Sequence, residues 1–172
     1  TARLLWRSTF YYSISQWMCT VTFIPFKDKI FITSNRDEQT VRKAALHPKP
    51  YSFNSGKIFF PKDGKAGGTW IAMHSNGNAM VLLNGAFKKH TIEPTYRKSR
   101  GLIFLEIFDE HDPVNAFNKI DFDNIEPFTL VLFTGKLLEM RWNGHEKFFS
   151  EKPANKPQVW SSVTLYEPEV IK

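Results

Sequence analysis

At 172 residues the chain is long enough for one domain with a sizeable core, and 42% apolar and 15% aromatic residues exclude a disordered polymer. Cys19 is the only cysteine, which excludes an internal disulfide framework and any multi-cysteine zinc site. The net charge of +6 does not gather into a stripe: Arg3, Arg7 and Lys27 lie in an acid-free stretch, while Lys88, Lys89, Arg97, Lys98 and Arg100 read as solvated faces. Nucleic acid is therefore not an expected partner.

Residues 1–17, "TARLLWRSTFYYSISQW", carry arginine, hydroxyls and aromatics but no acid. That composition is faintly like a mitochondrial transit segment, although simple upstream sequence is the preferred reading. Their apolar runs are too interrupted for a membrane span, so no stable membrane insertion is expected. The domain is set at 18–172, with Met18 as the expected start of translation and a C-terminal piece expected to be missing. The expected compartment is the cytoplasm, or the mitochondrion if residues 1–17 are a genuine transit segment.

From Met18 onward the pattern is strand-like. "CTVTFIPF" and "IFITSN" form a predicted hairpin across "KDK", ending at "NRDE", Asn35 to Glu38. Residues 39–56, with Pro48 and Pro50, are expected to be a long loop holding at most one helical turn. "KIFFP" is a short strand, "KDGKAGG" a flexible loop, and "TWIAMHS" and "AMVLLN" a hairpin across an Asn-Gly turn of the two-residue kind. Helices are predicted over 97–109 and from Pro113 to Ile120, the second with Asp112 as N-cap and Pro113 at its first position. "FTLVLFTG", "KLLEMRWNG" and "HEKFF" form a meander of strands, and "PQVWSSVTLY" is a last strand. Hairpins, helices and hairpins again make an α+β domain with antiparallel sheets.

No two histidines share a metal-ligand spacing, "DEHD" (109–112) reads as a solvated turn, and "DGKAGGT" lacks the spacing of a phosphate loop. No metal or organic cofactor is expected. Taken alone, Cys19 is a small buried hydrophobe. Removal of Met18, however, would leave its thiol beside a free α-amino group, whose pKa of roughly 7.7–8.0 suits it to accept the thiol proton. One residue would then hold both nucleophile and base. Antiparallel pairing of the first two strands brings Arg36 and Asp37 near Cys19, where Arg36 would favour the thiolate and Asp37 would hold the α-ammonium group. Asn84, at the end of "AMVLLN", could donate to an oxyanion, a contribution that reaches roughly 3–4 kcal/mol. Each of these residues also has a plain structural reading: a surface ion cluster for Arg36 and Asp37, a turn former for Asn84.

"MCTVTFIP", "TSNRDE", "AGGTWIAM", "LLNG" and "WSSVTLY", in this order from Met18 to about Tyr166, resemble the NRDE family, related to transport and Golgi organisation protein 2. The resemblance implies an N-terminal nucleophile (Ntn) hydrolase-like αββα sandwich, truncated at the C-terminus. It implies Cys19, Arg36, Asp37 and Asn84 as catalytic residues, with Trp70 and Ser162 on the substrate side. Arg36 and Asp37 are adjacent here, whereas the acylase cousins separate that pair. Serine, at Ser161-Ser162, also stands where the cousins carry a second asparagine. The implied reaction is cleavage of a non-peptide C–N amide bond through a thioester acyl-enzyme, with a small-molecule amide or acyl ligand as partner. The alternative is a non-catalytic lipid- or haem-handling or trafficking protein on the same fold.

Overall fold

Alternation of apolar and polar residues after Cys19 yields a hairpin of β1 (Thr20–Phe26) and β2 (Lys29–Asn35) in the computed structural model, which describes residues 19–35 and 44–162. Val21 and Phe23 of β1 are fully buried. The turn is two residues long, shorter than "KDK": Lys29 pairs with Phe26, and Lys27 takes a positive φ of 56°.

The expected loop before residue 56 contains a strand instead, β3 (Leu46–Phe53), paired with β4 (Gly56–Lys62). Pro48 and Pro50 fit because β3 is an edge strand, where a residue without an N–H forfeits no ladder bond on its open side. The register also shifts between Leu46 and Lys49, around Pro48. β5 (Ile71–His74) and β6 (Ala79–Asn84) form the next hairpin, through Ser75-Asn76-Gly77. The loop has three residues, one more than expected, because the His74 N–H closes on the Asn78 carbonyl at 2.8 Å and Gly77 supplies the left-handed residue at φ 92°.

Two helices interrupt the strands among the described residues. α1 (Arg100–Phe108) starts at Ser99, whose side chain accepts from the Leu102 N–H. α2 (Pro113–Lys119) begins as expected, with Asp112 accepting from the Val114 and Asn115 N–H groups. β7 (Phe128–Phe133), β8 (Leu137–Trp142) and β9 (Lys147–Lys152) then complete a seven-stranded sheet in the order β3-β4-β5-β6-β7-β8-β9. The last strand, β10 (Gln158–Ser161), leaves that sheet and pairs with β1, giving a three-stranded sheet β10-β1-β2. Every strand pair is antiparallel, so the domain is of mixed α+β type.

The larger sheet is buried on both faces in its middle. On one side Met80, Leu130, Leu132 and Met140 pack with Ile103, Phe104, Phe108 and Phe117 of the helices. On the other, Val81, Leu83, Val131 and Leu137 pack with Val21, Phe23 and Trp160 of the small sheet. This double burial explains the unbroken apolar runs "MVLL" and "LVLF" in antiparallel strands, which ordinarily alternate when one face meets water. The described residues thus stack as small sheet, large sheet and helices. On the far face of the small sheet, Ile24, Phe31 and Val159 are 43%, 50% and 69% exposed.

Candidate functional site

Cys19 immediately precedes β1, the central strand of the small sheet, and Thr20 pairs with both Asn35 and Ser161. The Cys19 carbonyl accepts the Ser162 N–H at 2.9 Å. The Ser162 hydroxyl donates to the Asn84 carbonyl, also at 2.9 Å. Ser162 is 1% exposed. The end of β6 is held on its other side as well: the Gly85 N–H donates to the Pro127 carbonyl, and the Thr129 hydroxyl donates to the Gly85 carbonyl.

Cys19, Trp70 and Asn84 line one cavity of about 410 Å³, within the range of small-molecule pockets. Ser34 of β2 and Leu82 of β6 contribute to its walls, and Tyr96, Lys98, Arg100 and Glu126 bring its polar and charged side. Arg100 Nη2 pairs with Glu126 Oε2 at 3.1 Å, and His90 Nε2 lies 3.3 Å from the other carboxylate oxygen.

A close approach of two glycines puts α1 against this cavity. A Cβ on Gly68 would meet the Gly101 carbonyl carbon at 2.4 Å, and a Cβ on Gly101 would meet the Thr69 carbonyl oxygen at 2.9 Å. Only glycines allow that backbone contact, which the Thr69 N–H to Gly101 carbonyl bond closes at 3.3 Å. The loop before Trp70, expected to be flexible, is braced. Asp63 Oδ1 accepts the Lys65 and Ala66 N–H groups, and the Thr69 hydroxyl donates to the Pro61 and Ile71 carbonyls.

Of the sequence-derived site residues, Cys19, Trp70 and Asn84 therefore come together at one cavity, while Ser162 sits buried behind it, joining Cys19 to Asn84. Arg36, Asp37 and Met18 lie outside the described residues. The reading of the sequence passed over Tyr96 and Glu126 and took Arg100 for part of a solvated face. Arg100 instead lines the cavity, mostly buried and paired with Glu126, and its signal was "SRG" at 99–101, an N-cap and a small residue that lets a helix start approach another backbone.

Two further polar clusters lie elsewhere. Buried Glu139 accepts from Trp160 Nε1 at 2.7 Å, from Arg141 Nη2 at 3.0 Å and from Ser150 Oγ at 3.3 Å, with Lys152 Nζ at 3.4 Å. Burial works to raise its pKa, but the hydrogen bonds from Arg141 and Trp160 and the charges of Arg141 and Lys152 outweigh it and hold the carboxyl below its ordinary value. Ser55, His74 and Asp109 have the composition of a catalytic triad with the wrong wiring. His74 Nδ1 accepts the Asn76 N–H at 3.1 Å, so in the neutral ring the proton is on Nε2, which donates to Ser55 Oγ at 3.0 Å. The Ser55 hydroxyl in turn donates to Asp109 at 2.9 Å, so the histidine is no base for this serine. The cluster ties the β3–β4 turn to β5 and to the end of α1. Among the described residues no group of three or more His, Cys, Asp or Glu is placed to hold a metal ion, and no helix is long and apolar enough to cross a membrane.

Two stacked antiparallel sheets backed by helices, with a lone cysteine at a cavity where the sheets meet, define the class: a mixed α+β domain with a small-molecule-sized site. Residues 18–165 match the model of the family described as Transport and Golgi organisation 2, and the chain belongs to that family. A comparison with curated proteins finds no match.

Proposed function

We propose that the chain is a cysteine Ntn hydrolase that cleaves a non-peptide C–N amide bond. The observation that carries this reading is the meeting of Cys19 and Asn84 at one cavity, although they lie on different sheets and 65 residues apart. Removal of Met18 exposes the Cys19 α-amino group, which takes the thiol proton as sulfur attacks the amide carbonyl. The oxyanion receives the Asn84 side-chain amide. As the C–N bond breaks, the α-ammonium returns the proton to the leaving amine, and a thioester remains. Water activated by the same amine then releases the acid and regenerates the thiol.

Arg36 favours the thiolate and Asp37 orients the α-ammonium group. The pairing of Thr20 with Asn35 supports this, since Arg36 follows Asn35 in the chain. Trp70 supplies an apolar wall for the acyl or amine group. The order of small sheet, large sheet and helices supports three layers of an αββα sandwich. The test is the intact mass of protein expressed from Met18. Loss of that methionine, together with a thiol-reactive N-terminal Cys19 and amide hydrolysis abolished by Cys19→Ser, supports the enzyme; a retained methionine removes the base and refutes it.

The family's description, transport and Golgi organisation, favours a second reading, a trafficking protein that binds its ligand in the same cavity without cleaving it; a lipid or haem is the ligand class proposed for it. In that case ligand binding survives Cys19→Ser. The cytoplasm is the proposed compartment for either reading, with the mitochondrion following only if residues 1–17 act as a transit segment; fractionation of tagged protein tests it.

A further inference from the structure

We infer that Ser162 is a positioning residue that sets the separation between the Cys19 thiol and the Asn84 amide. This rests on the hydrolase reading and changes the role of Ser162 within it, from a substrate contact to a strut behind the site.

The geometry is reciprocal. Through its N–H, Ser162 holds the Cys19 carbonyl at 2.9 Å, and through its hydroxyl it holds the Asn84 carbonyl at the same distance. One residue therefore spans from the nucleophile's backbone in the small sheet to the oxyanion residue's backbone in the large sheet. β10 continues that anchoring, because Ser161 pairs with Thr20, the residue after Cys19. At 1% exposure Ser162 is poorly placed to meet a substrate but well placed to fix two neighbours. Apart from the bond from Trp160 Nε1 to Glu139, the two sheets otherwise meet through apolar side chains such as Val21, Leu83 and Val131, whose contacts are non-directional and tolerate small slides. Two directional bonds resist such a slide at the end where chemistry would occur.

Positioning of this kind is felt only by a reaction that needs both partners. Acylation of Cys19 by p-nitrophenyl acetate does: the thiolate attacks the ester carbonyl, an oxyanion forms, the carbon–oxygen bond breaks and p-nitrophenolate leaves with its electron pair. Alkylation by iodoacetamide does not, since sulfur displaces iodide with no oxyanion. Because Cys19 is the only cysteine, both rates can be read on one thiol, with Cys19→Ser giving the background from other nucleophiles.

In the protein expressed from Met18 and processed so that Cys19 is its N-terminal residue, Ser162→Ala is expected to slow acylation roughly tenfold to a hundredfold, since small misplacements near a reacting pair cost rates of that order. Alkylation should stay within about twofold of wild type. Ser162→Thr, which keeps the hydroxyl, should restore acylation, and thermal melting confirms that each variant is folded. Added to Asn84→Ala, Ser162→Ala should slow acylation no further, as expected of residues acting through one another. If Ser162→Ala acylates like wild type while Asn84→Ala is slow, the strut is refuted and the hydrolase reading stands. If Ser162→Ala slows both reactions equally, its effect is on the fold or on thiol access, and the inference is also overturned. If Asn84→Ala acylates like wild type, the oxyanion assignment fails and the inference falls with it.

Discussion

The bond from Trp160 to Glu139 offers the sharpest test of how the small sheet is held on the large one. Trp160→Phe keeps an aromatic ring against Val21 and Leu137 but deletes the indole N–H that reaches the Glu139 carboxylate at 2.7 Å. A hydrogen bond to a charged group is worth about 1.5–3 kcal/mol, and the smaller ring adds about 1 kcal/mol of lost packing. Arg141, Lys152 and Ser150 remain around Glu139, so its charge is not stranded. The expected loss is therefore about 2.5–4 kcal/mol at about pH 7. The pH dependence carries a sign. Glu139 has a folded pKa below its ordinary value, so its contribution is complete above the unfolded-state pKa and disappears as pH falls through the folded one. Protonated Glu139 accepts only a neutral hydrogen bond, so the gap between wild type and variant should narrow by about 1 kcal/mol once the pH has fallen through the folded pKa. Urea unfolding over a series of falling pH values, with equal slopes for the two proteins, measures this directly. A loss below about 1 kcal/mol at neutral pH, or a gap that widens as the pH falls, would refute an ionised Glu139 as the partner of Trp160.

Other substitutions probe the elements around the cavity. Gly101→Ala ought to raise helix propensity by about 1 kcal/mol, yet its methyl meets the Thr69 carbonyl oxygen at 2.9 Å. The net result should be a destabilisation of about 1–3 kcal/mol in chemical unfolding, and a stabilised variant would show that α1 does not dock on the Trp70 loop as described. Ser55→Ala strands the His74 N–H and removes one of two donors to Asp109 Oδ1, the Ser55 backbone N–H remaining, so thermal melting should report a loss of about 1–3 kcal/mol. Acylation and alkylation of Cys19 should be unchanged in that variant; a change would tie the distant cluster to the site. Asp112→Ala removes the acceptor for two N–H groups at the start of α2 and should cost about 1 kcal/mol in urea, whereas Asp112→Asn should cost much less.

What could be read from the sequence was local. The first hairpin, the Asp112-Pro113 helix start and the strands from Phe128 onward follow from side-chain period and capping chemistry, which act within a few residues. β3 was hidden because Pro48 and Pro50 argue against a strand unless that strand lies at a sheet edge, and edge position is a property of the whole sheet. The partner of β10 was hidden for the same reason, since nothing in "QVWS" says that it pairs with β1 and not with β9. At the site, Cys19 and Asn84 were legible as residue types at strand ends. Arg100, Tyr96 and Glu126 were not: α1 brings Arg100 to the cavity through the contact of Gly68 with Gly101, thirty-three residues apart in the chain, and Glu126 meets it there as the ion-pair partner of Arg100.

The placement of Cys19 and Asn84 also bears on which parts of the fold their geometry should depend. Cys19 leads into β1, which has a partner on each side, and Asn84 ends β6, flanked by β5 and β7. Each residue thus stands at the end of a strand from the middle of its own sheet: Thr20, next to Cys19, is paired on both sides, and Asn84 is paired with Phe128. The variable between them is the relation of one sheet to the other, set by apolar contacts, by Trp160 on Glu139 and, at the rim itself, by Ser162. Damage at the outer strands β3 or β9 should therefore lower stability without altering how Cys19 meets Asn84. Loosening the contact between the sheets should alter that meeting even when the fold persists. Trp160→Phe and Ser162→Ala act on the same relation from two distances, and the nearer one should show the larger effect on acylation for the smaller loss of stability.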